Sequence, residues 1–371
     1  MLGYLKEAMN ALRRKIRALS PILILSALIP GCQPSFEATN HDPSEKLGPL
    51  PLVVVITLDG VRPEEAFGPI ASDPSPFDIG QHAPVMPYLT GELSQTGFML
   101  GEPDRGPGLT LANPMGISMP GYQSMFMGRP TLCLRNECSP PSGENFFERV
   151  QSYYDLPPEA VSIYASWSAL CPALDPSEAF DAHCGKGAID QLWGATIQPA
   201  SNARDVKPPE ETDDAIFEIA MQKLQTPSFQ ILFLAFDRTD STGHARDYAG
   251  HIETLRKFDE WIRAIDLELR KLEKDGQPSI LLVTTDHGRG QGEEWSQHRW
   301  NVPGTENLWL FVRGPEDLEA KLQTSDDRLT IATVRPTLET LLRIPTRVDW
   351  PYERSAVLVE SESAQTPPRT N

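Results

Sequence analysis

Basic residues are the scarce ones in this chain. Lys and Arg number 33 against 51 Asp and Glu, a formal net charge of −18. Phosphate backbones are held by clustered Lys and Arg, so this balance argues against nucleic acid as a partner. Long apolar runs are missing as well. The longest, Ala18 to Pro30, falls short of the roughly 20 residues a membrane-spanning helix needs. There are only five cysteines and no CxxC pair, so zinc held by cysteine is not expected. No internal repeat is visible, and nothing implies a protein partner. Proline, by contrast, is abundant at 35 of 371 residues and implies many loops. A chain of this length buries a sizeable core, as one large α/β domain or two smaller ones. If so acidic a protein acts on an anionic substrate, bound metal ions are the obvious local counter-charge.

The first 31 residues read as a signal rather than as part of the fold. Lys6, Arg13, Arg14, Lys15 and Arg17 precede the short apolar stretch, which ends in "LIPGC". That ending resembles a bacterial lipobox, with Pro30 as a departure. It implies a mature chain that starts at lipidated Cys32 in the cell envelope. Gln33 after Cys32 fits outer-membrane sorting. An ordinary cleaved signal and an uncleaved anchor are the alternatives. Residues 33–50, polar and proline-bearing, read as a tether.

With Cys32 set aside, four cysteines remain for an oxidising compartment. Cys133 and Cys138 flank "LRNE", and Cys171 and Cys184 flank a longer acidic loop. Of the three connectivities, the sequence-local pairs 133–138 and 171–184 are expected, with free buried thiols as the alternative.

"LVVVITL", Leu52 to Leu58, is a continuous β-branched run, the signature of a strand buried on both faces of a parallel sheet. Further strand candidates are "AVSIYA" (160–165), "FQILFLAF" (229–236), "SILLVTT" (279–285) and "LWLFVRG" (308–314). Helical patterns fall at 86–97, about 211–225, 246–274 and 331–343. This alternation predicts an α/β fold, a doubly wound and mostly parallel sheet with helices on both faces. Residues 51–360 form the domain. Residues 130–210, irregular and cysteine-bearing, read as an insertion around one strand. The tail at 361–371 reads as disordered.

Acids and imidazoles collect just past the strands. Asp59 follows "LVVVITL". Asp240 and His244, in "DRTDSTGH", follow "FQILFLAF". Asp286 and His287 follow "SILLVTT", and His298 lies on the same loop. The carboxyl edge of an open α/β sheet is where such folds build their sites. Each residue also has a plain structural reading: a turn at "LDG", a helix cap at Asp240, a packed surface histidine at His298. Mixed Asp and His donors suit zinc, or else manganese or iron. Six such donors suggest two ions about 4 Å apart.

"NPMGISMPGYQSMFMGR" holds one more candidate. Ser118 precedes a proline, a glycine and an apolar run, and reads as a helix cap, a nucleophile or both. No neighbouring histidine would activate it, but a metal ion would. Asn113 could donate to a phosphoryl oxygen, although "NP" is also a turn signal.

Taken together, these segments resemble the alkaline phosphatase superfamily over about Leu52 to Ile344. "VVVITLDGVRP" is similar to its first metal motif, "ISMPGYQSMFMGR" to its nucleophile segment, "DRTDSTGH" to its Asp–x–x–x–His motif, and "TTDHGRG" to its Asp–His pair. The resemblance implies one ion on Asp59, Asp286, His287 and Ser118, and another on Asp240, His244 and His298. It implies a hydrolase of phosphoric esters, with monoester against diester left open. Sulfatases need Arg four residues after the catalytic position, and here Tyr122 stands there. A sulfuric-ester hydrolase, a phosphoryl transferase and a binding lipoprotein with structural metals are the rival readings.

Overall fold

The computed structural model describes residues 49–70, 79–103, 108–175, 177–201, 207–315, 320–322, 329–345 and 357–359. The expected signal, Cys32, most of the tether and the 361–371 tail lie outside the described residues. No described helix is long and apolar enough to cross a membrane.

Seven strands form the main sheet. They are β1 (Leu52–Leu58), β2 (Phe98–Leu100), β3 (Val161–Ala165), β4 (Asp181–Cys184), β5 (Ile231–Phe236), β6 (Ser279–Thr284) and β7 (Leu310–Arg313), ordered β2-β7-β6-β1-β5-β3-β4. β6, β1, β5, β3 and β4 are mutually parallel, while β7 runs antiparallel to both β6 and β2. The sheet is thus mostly parallel, as the strand–helix alternation predicts.

Its side chains alternate into two cores. Val54, Ile56 and Leu58 pack on one face, against Ile216 and Ile219 of helix α6 (Thr212–Gln225) and Ile252, Leu255, Phe258 and Ile262 of helix α8 (Tyr248–Lys274). The 3–4 residue spacing along α8 lays one continuous apolar stripe on the sheet. Asp247 starts that helix by accepting from the Gly250 N–H at 2.9 Å. Val53 and Val55 face the other way, with Phe126 of α2 (Ser118–Met127), Phe147 of α3 (Phe146–Tyr154) and Leu338 of α9 (Val334–Leu341). Phe126, Phe147 and Phe233 meet there at centroid distances of 4.7–5.8 Å, adding specific ring contacts to burial.

Residues 130–210, expected to surround one strand, bring two, β3 and β4, to the main sheet, together with three α-helices: α3, α4 (Leu170–Leu174) and α5 (Lys186–Ser201). β4 reads "DAHC", a half-exposed edge strand with no apolar run, which hid it. The stretch at 86–97 is a single π-helical turn followed by a 3₁₀ turn, not an α-helix. Both expected disulfides form, Cys133–Cys138 and Cys171–Cys184, with Cα–Cα separations of 5.6 and 5.7 Å.

Register determines where the site falls. Thr57 of β1 stands opposite Ala235 of β5 and Thr284 of β6, so the three central strands end level. Asp59, Asp237 and Asp286 therefore leave the sheet at one carboxyl edge.

Candidate metal centre

The loops at that edge are tied to one another before any ligand is considered. Thr239 donates its hydroxyl to Asp59 O at 2.7 Å, joining α7 (Arg238–His244) to the end of β1. Val61 N–H donates to Thr285 Oγ1 at 3.1 Å, and Gly60 N–H to Asp286 Oδ1 at 3.1 Å. Asp213 of α6 accepts from the Asp237 and Arg238 N–H groups, at 3.2 and 2.9 Å, and so starts α7 with Asp240 in its first turn.

On this frame three overlapping groups converge. Asp59, Asp286 and His287 bring donor atoms within 4.8 Å of one another; so do Asp240, His287 and His298, and Asp59, Asp237 and Asp240. His287 Nε2 lies 3.3 Å from Asp59 Oδ1 and 3.7 Å from Asp286 Oδ2. His244 Nε2 lies 3.2 Å from Asp240 Oδ2 and 3.1 Å from His298 Nε2. The rings of His287 and His298 stack at 4.1 Å.

The hydrogen bonds on the far side of two rings orient these donors. His287 Nδ1 faces Gly288 O at 2.9 Å and His298 Nδ1 faces Gly116 O at 3.0 Å. A carbonyl accepts only, so each Nδ1 carries a proton and each Nε2 is the atom that would offer a lone pair to a cation, at His287 once its second proton is displaced. Asp59 Oδ1 and Asp286 Oδ2 are buried without a hydrogen-bond partner. Two orphaned carboxylate oxygens gathered around an imidazole nitrogen make a site suited to a cation, so these residues fit a divalent metal.

Electrostatics agrees. Burial, with Asp286 and Asp240 nearby, pushes the Asp59 carboxyl well above its usual range. Burial alone would lower His287, but Asp286, Asp59 and Asp240 overcome it and lift the imidazole to about 9. His298 goes the other way, to about 2, through burial and the positive neighbours His287 and Arg289. Asp237 is pushed up to about 7 by burial and by Asp240 and Asp213. A field that holds a proton so tightly on one imidazole is the field that binds a cation.

Ser118 is the first residue of α2, and its Oγ lies 3.4 Å from His287 Nε2. It is not the cap. Ile117 is the N-cap residue, and its own side chain makes no cap bond. The "PG" after Ser118 also has a reason. A Cβ at Gly121 would stand 2.3 Å from Asp286 O, so only glycine lets α2 come this close to the Asp286–His287 loop.

Asn113 is a correction. It sits beside α2, but its amide donates to Pro120 O and Ser124 Oγ, both at 3.2 Å, while its Oδ1 accepts from Met115 N–H at 3.0 Å. The side chain braces the turn before the helix and has no donor left for a substrate oxygen.

Several residues escaped the sequence reading. Asp237 opens "DRTDSTGH" with no role of its own in the sequence, and the structure brings it to Asp59 and Asp240. Asn136, on the loop closed by Cys133–Cys138, accepts from Met119 N–H at 3.2 Å, next to Ser118. Arg289 was an unremarked letter of "TTDHGRG" and proves fully buried among the metal loops. Arg62 and Glu65, at the start of helix α1 (Pro63–Phe67), also escaped. They join Tyr248 and His251, whose place one and two turns past His244 suggests a supporting or core role, in a second buried group. Arg62 donates to Glu65 Oε1 at 2.6 Å and to Gly290 O at 3.0 Å, and His251 Nε2 lies 3.2 Å from Glu65 Oε2. His251 Nδ1 also meets Thr239 O at 3.0 Å, so this group links the three metal-bearing loops.

That link gives a stability prediction. Burial would raise Glu65, but Arg62 and His251 hold it far below the usual carboxylate range. A depressed pKa contributes stability above the unfolded value of about 4.5 that is lost as pH falls below it. Glu65→Gln is therefore expected to cost about 3–5 kcal/mol at pH 7 and to flatten the fall of Tm between pH 5 and 3. Thermal melts across that window check this; equal slopes for variant and wild type would contradict it.

Comparison with known proteins agrees with this architecture. Ps i-CgsB, solved with k-i-k-neocarrahexaose, superposes with a TM-score of 0.50 at 12% identity, covering 82% of this chain and 75% of that one. BT1596, a 2-O GAG sulfatase, gives 0.52 at 12%, covering 81% and 72%. The lipoteichoic acid synthase LtaP from Listeria monocytogenes gives 0.50 at 11%, covering 81% and 73%. At these identities the likeness is one of fold, and the fold is alkaline phosphatase-like. Residues 194–303, which carry Asp240, His244, Asp286, His287 and His298, match the Metalloenzyme superfamily. Over that segment the match agrees with the resemblance read from the motifs, and the rest of the chain agrees in fold. No curated protein sequence matches the chain.

Proposed function

We propose that this protein is a metal-dependent hydrolase of phosphoric esters with Ser118 as its covalent nucleophile. The observation that carries the reading is the position of Ser118 Oγ, 3.4 Å from His287 Nε2 at the start of a ten-residue helix, beside the orphaned oxygens of Asp59 and Asp286. Asp59, Asp286 and His287 would hold one divalent cation, Asp240, His244 and His298 a second, and zinc suits these donors best. Such cations supply Lewis acidity, which lowers the Ser118 hydroxyl pKa and offsets charge on the phosphoryl group.

The protein's own groups then have definite tasks. Ser118 gives up its proton, its Oγ bonds to phosphorus, and the ester oxygen leaves with the bonding pair and takes up a proton. Water cleaves the Oγ–P bond afterwards and restores the hydroxyl. The α2 N-terminus favours the anion at each stage. Thr57 Oγ1, 3.2 Å from Tyr122 OH, and Gly121 against Asp286 O keep the helix in register with the sheet.

The metal-loaded protein is expected to hydrolyse nitrophenyl phosphate or bis-nitrophenyl phosphate at least about 100-fold faster than nitrophenyl sulfate, a barrier difference near 2.7 kcal/mol. Preference for the sulfate ester would make it a sulfatase. No turnover with both cations bound would leave a binding protein. The reading also has the chain exported and anchored through lipidated Cys32, on the strength of "LIPGC" and two disulfides suited to an oxidising compartment. Mass spectrometry of the N-terminal peptide tests this, and a start at Gln33 or later would contradict it.

A further inference from the structure

We propose that Arg289 is the positioning residue of the Asp240–His244–His298 cation position, gripping Asp240 by one carboxylate oxygen so that the other is presented to the cation. The inference rests on the two-cation reading above and assigns the second position a direct grip on a ligand side chain, where Arg289 reaches the first only through the Gly60 backbone.

Arg289 is fully buried, and all its described hydrogen bonds go to the loops that carry candidate ligands. Its Nε donates to Gly60 O at 3.0 Å, and its Nη1 to Ser296 O at 3.1 Å, two residues before His298. Its Nη2 donates to Asp240 O at 3.1 Å and to Asp240 Oδ1. Nη2 therefore holds the backbone and the side chain of Asp240 together while Nε and Nη1 reach two other loops, a spread of donors that the single nitrogen of an ammonium lacks. Asp240 Oδ2 is left on the side of His244 Nε2, 3.2 Å away.

The surroundings are cut to fit this group. A Cβ at Gly243 would stand 2.5 Å from the guanidinium carbon, and one at Gly60 would stand 2.9 Å from Nε. Two glycines in separate motifs, "STGH" and "LDG", thus clear the space for one side chain.

The two positions differ in how their ligands are held. Asp286 is fixed by the Gly60 N–H and His287 by Gly288 O, and the guanidinium hydrogen-bonds to neither side chain, meeting this position only at Gly60 O. Those side chains are also fully enclosed, whereas the His244 side chain is 57% exposed. Asp240 is the acidic ligand of the open position, and its side-chain orientation depends on Arg289. Hydrogen-bond partners standing behind a metal ligand are commonly worth 10–100-fold in affinity.

The test is a stepwise Zn2+ titration of the metal-depleted full chain against a chelating dye. Wild type is expected to take up two ions in two steps. Arg289→Gln should bind the first ion as wild type does and the second about 10–100-fold more weakly. Arg289→Lys should recover only part of the loss. Gly243→Ala, whose added methyl would stand 2.5 Å from the guanidinium carbon while every candidate ligand is kept, should reproduce it, and serves if Arg289→Gln fails to fold. With Mn2+ as probe, wild type at two equivalents should give the spectrum of a spin-coupled pair, and Arg289→Gln that of isolated ions. A second ion bound equally well by Arg289→Gln and Gly243→Ala would overturn the inference. So would loss of both ions together, which would make Arg289 a general brace. A wild-type chain that takes up no second ion would instead sink the two-cation reading, and this inference with it.

Discussion

Ser118→Ala is expected to lower turnover by several orders of magnitude while leaving metal content and fold intact. The two halves of this expectation come from different observations. Ser118 makes no cap bond, because Ile117 is the N-cap and the side chain that accepts from the first turn is Asn136, at Met119 N–H. Removing its hydroxyl thus costs less than the roughly 1 kcal/mol that a true cap contributes. The same oxygen is the group with which a phosphoryl bond would form, and without it the covalent route closes. Ser118→Thr keeps an oxygen at that position and should retain part of the activity. Rates, metal analysis and thermal melts on the same preparations separate the effects. An alanine variant within about tenfold of wild type, some 1.4 kcal/mol in barrier, would reduce Ser118 to a structural residue of the helix.

Asp286→Asn should have an effect of similar size on activity and the opposite sign on metal-free stability. Asp286 is fully buried, its Oδ2 lacks a partner, and burial pushes its carboxyl above the usual range. Without a cation this carboxylate is a liability, facing Asp59 and Asp240 across the cluster. Neutralising it should relieve a buried unsatisfied charge at a gain of roughly 1–3 kcal/mol. The metal-free Tm should then rise by about 2–4 °C per kcal/mol in a domain of this size. With cations present the order reverses. Wild type gains stability from binding and the variant gains little, because one of its anionic donors is gone. Calorimetry with and without Zn2+ checks both signs. A variant less stable than wild type in both states would mean that Asp286 serves the fold and not a cation.

The legible parts of this protein are those whose signal lies in consecutive residues. "LVVVITL" announces a buried strand, and Asp59 inherits its place from the strand's end. The same holds for Asp286 and His287 after "SILLVTT", and for Asp240 and His244 on the helix after "FQILFLAF". The level ending of β1, β5 and β6 then brings these residues together. What the sequence hid depends on contacts between distant segments. Arg289 carries no periodicity, and its partners lie 49 and 229 residues away. Gly243 and Gly60 read as ordinary turn or helix glycines until the guanidinium they admit is seen. Asn113 looked available because its three hydrogen bonds are not visible in "NPMG". β4 was missed because an edge strand needs no apolar alternation, and "DAHC" has none. Asp237, three residues before Asp240, became part of the cluster only because α7 begins there.

The central claim is that Ser118 carries the phosphoryl group during turnover, and trapping tests it most directly. Wild-type protein loaded with zinc is mixed with a nitrophenyl phosphate ester, quenched in acid during turnover, digested and analysed by mass spectrometry. One phosphoryl group is expected on the peptide containing Ser118, absent from Ser118→Ala treated alike. Turnover by the wild type with that peptide unmodified, or with the phosphoryl group on another residue, would contradict the account.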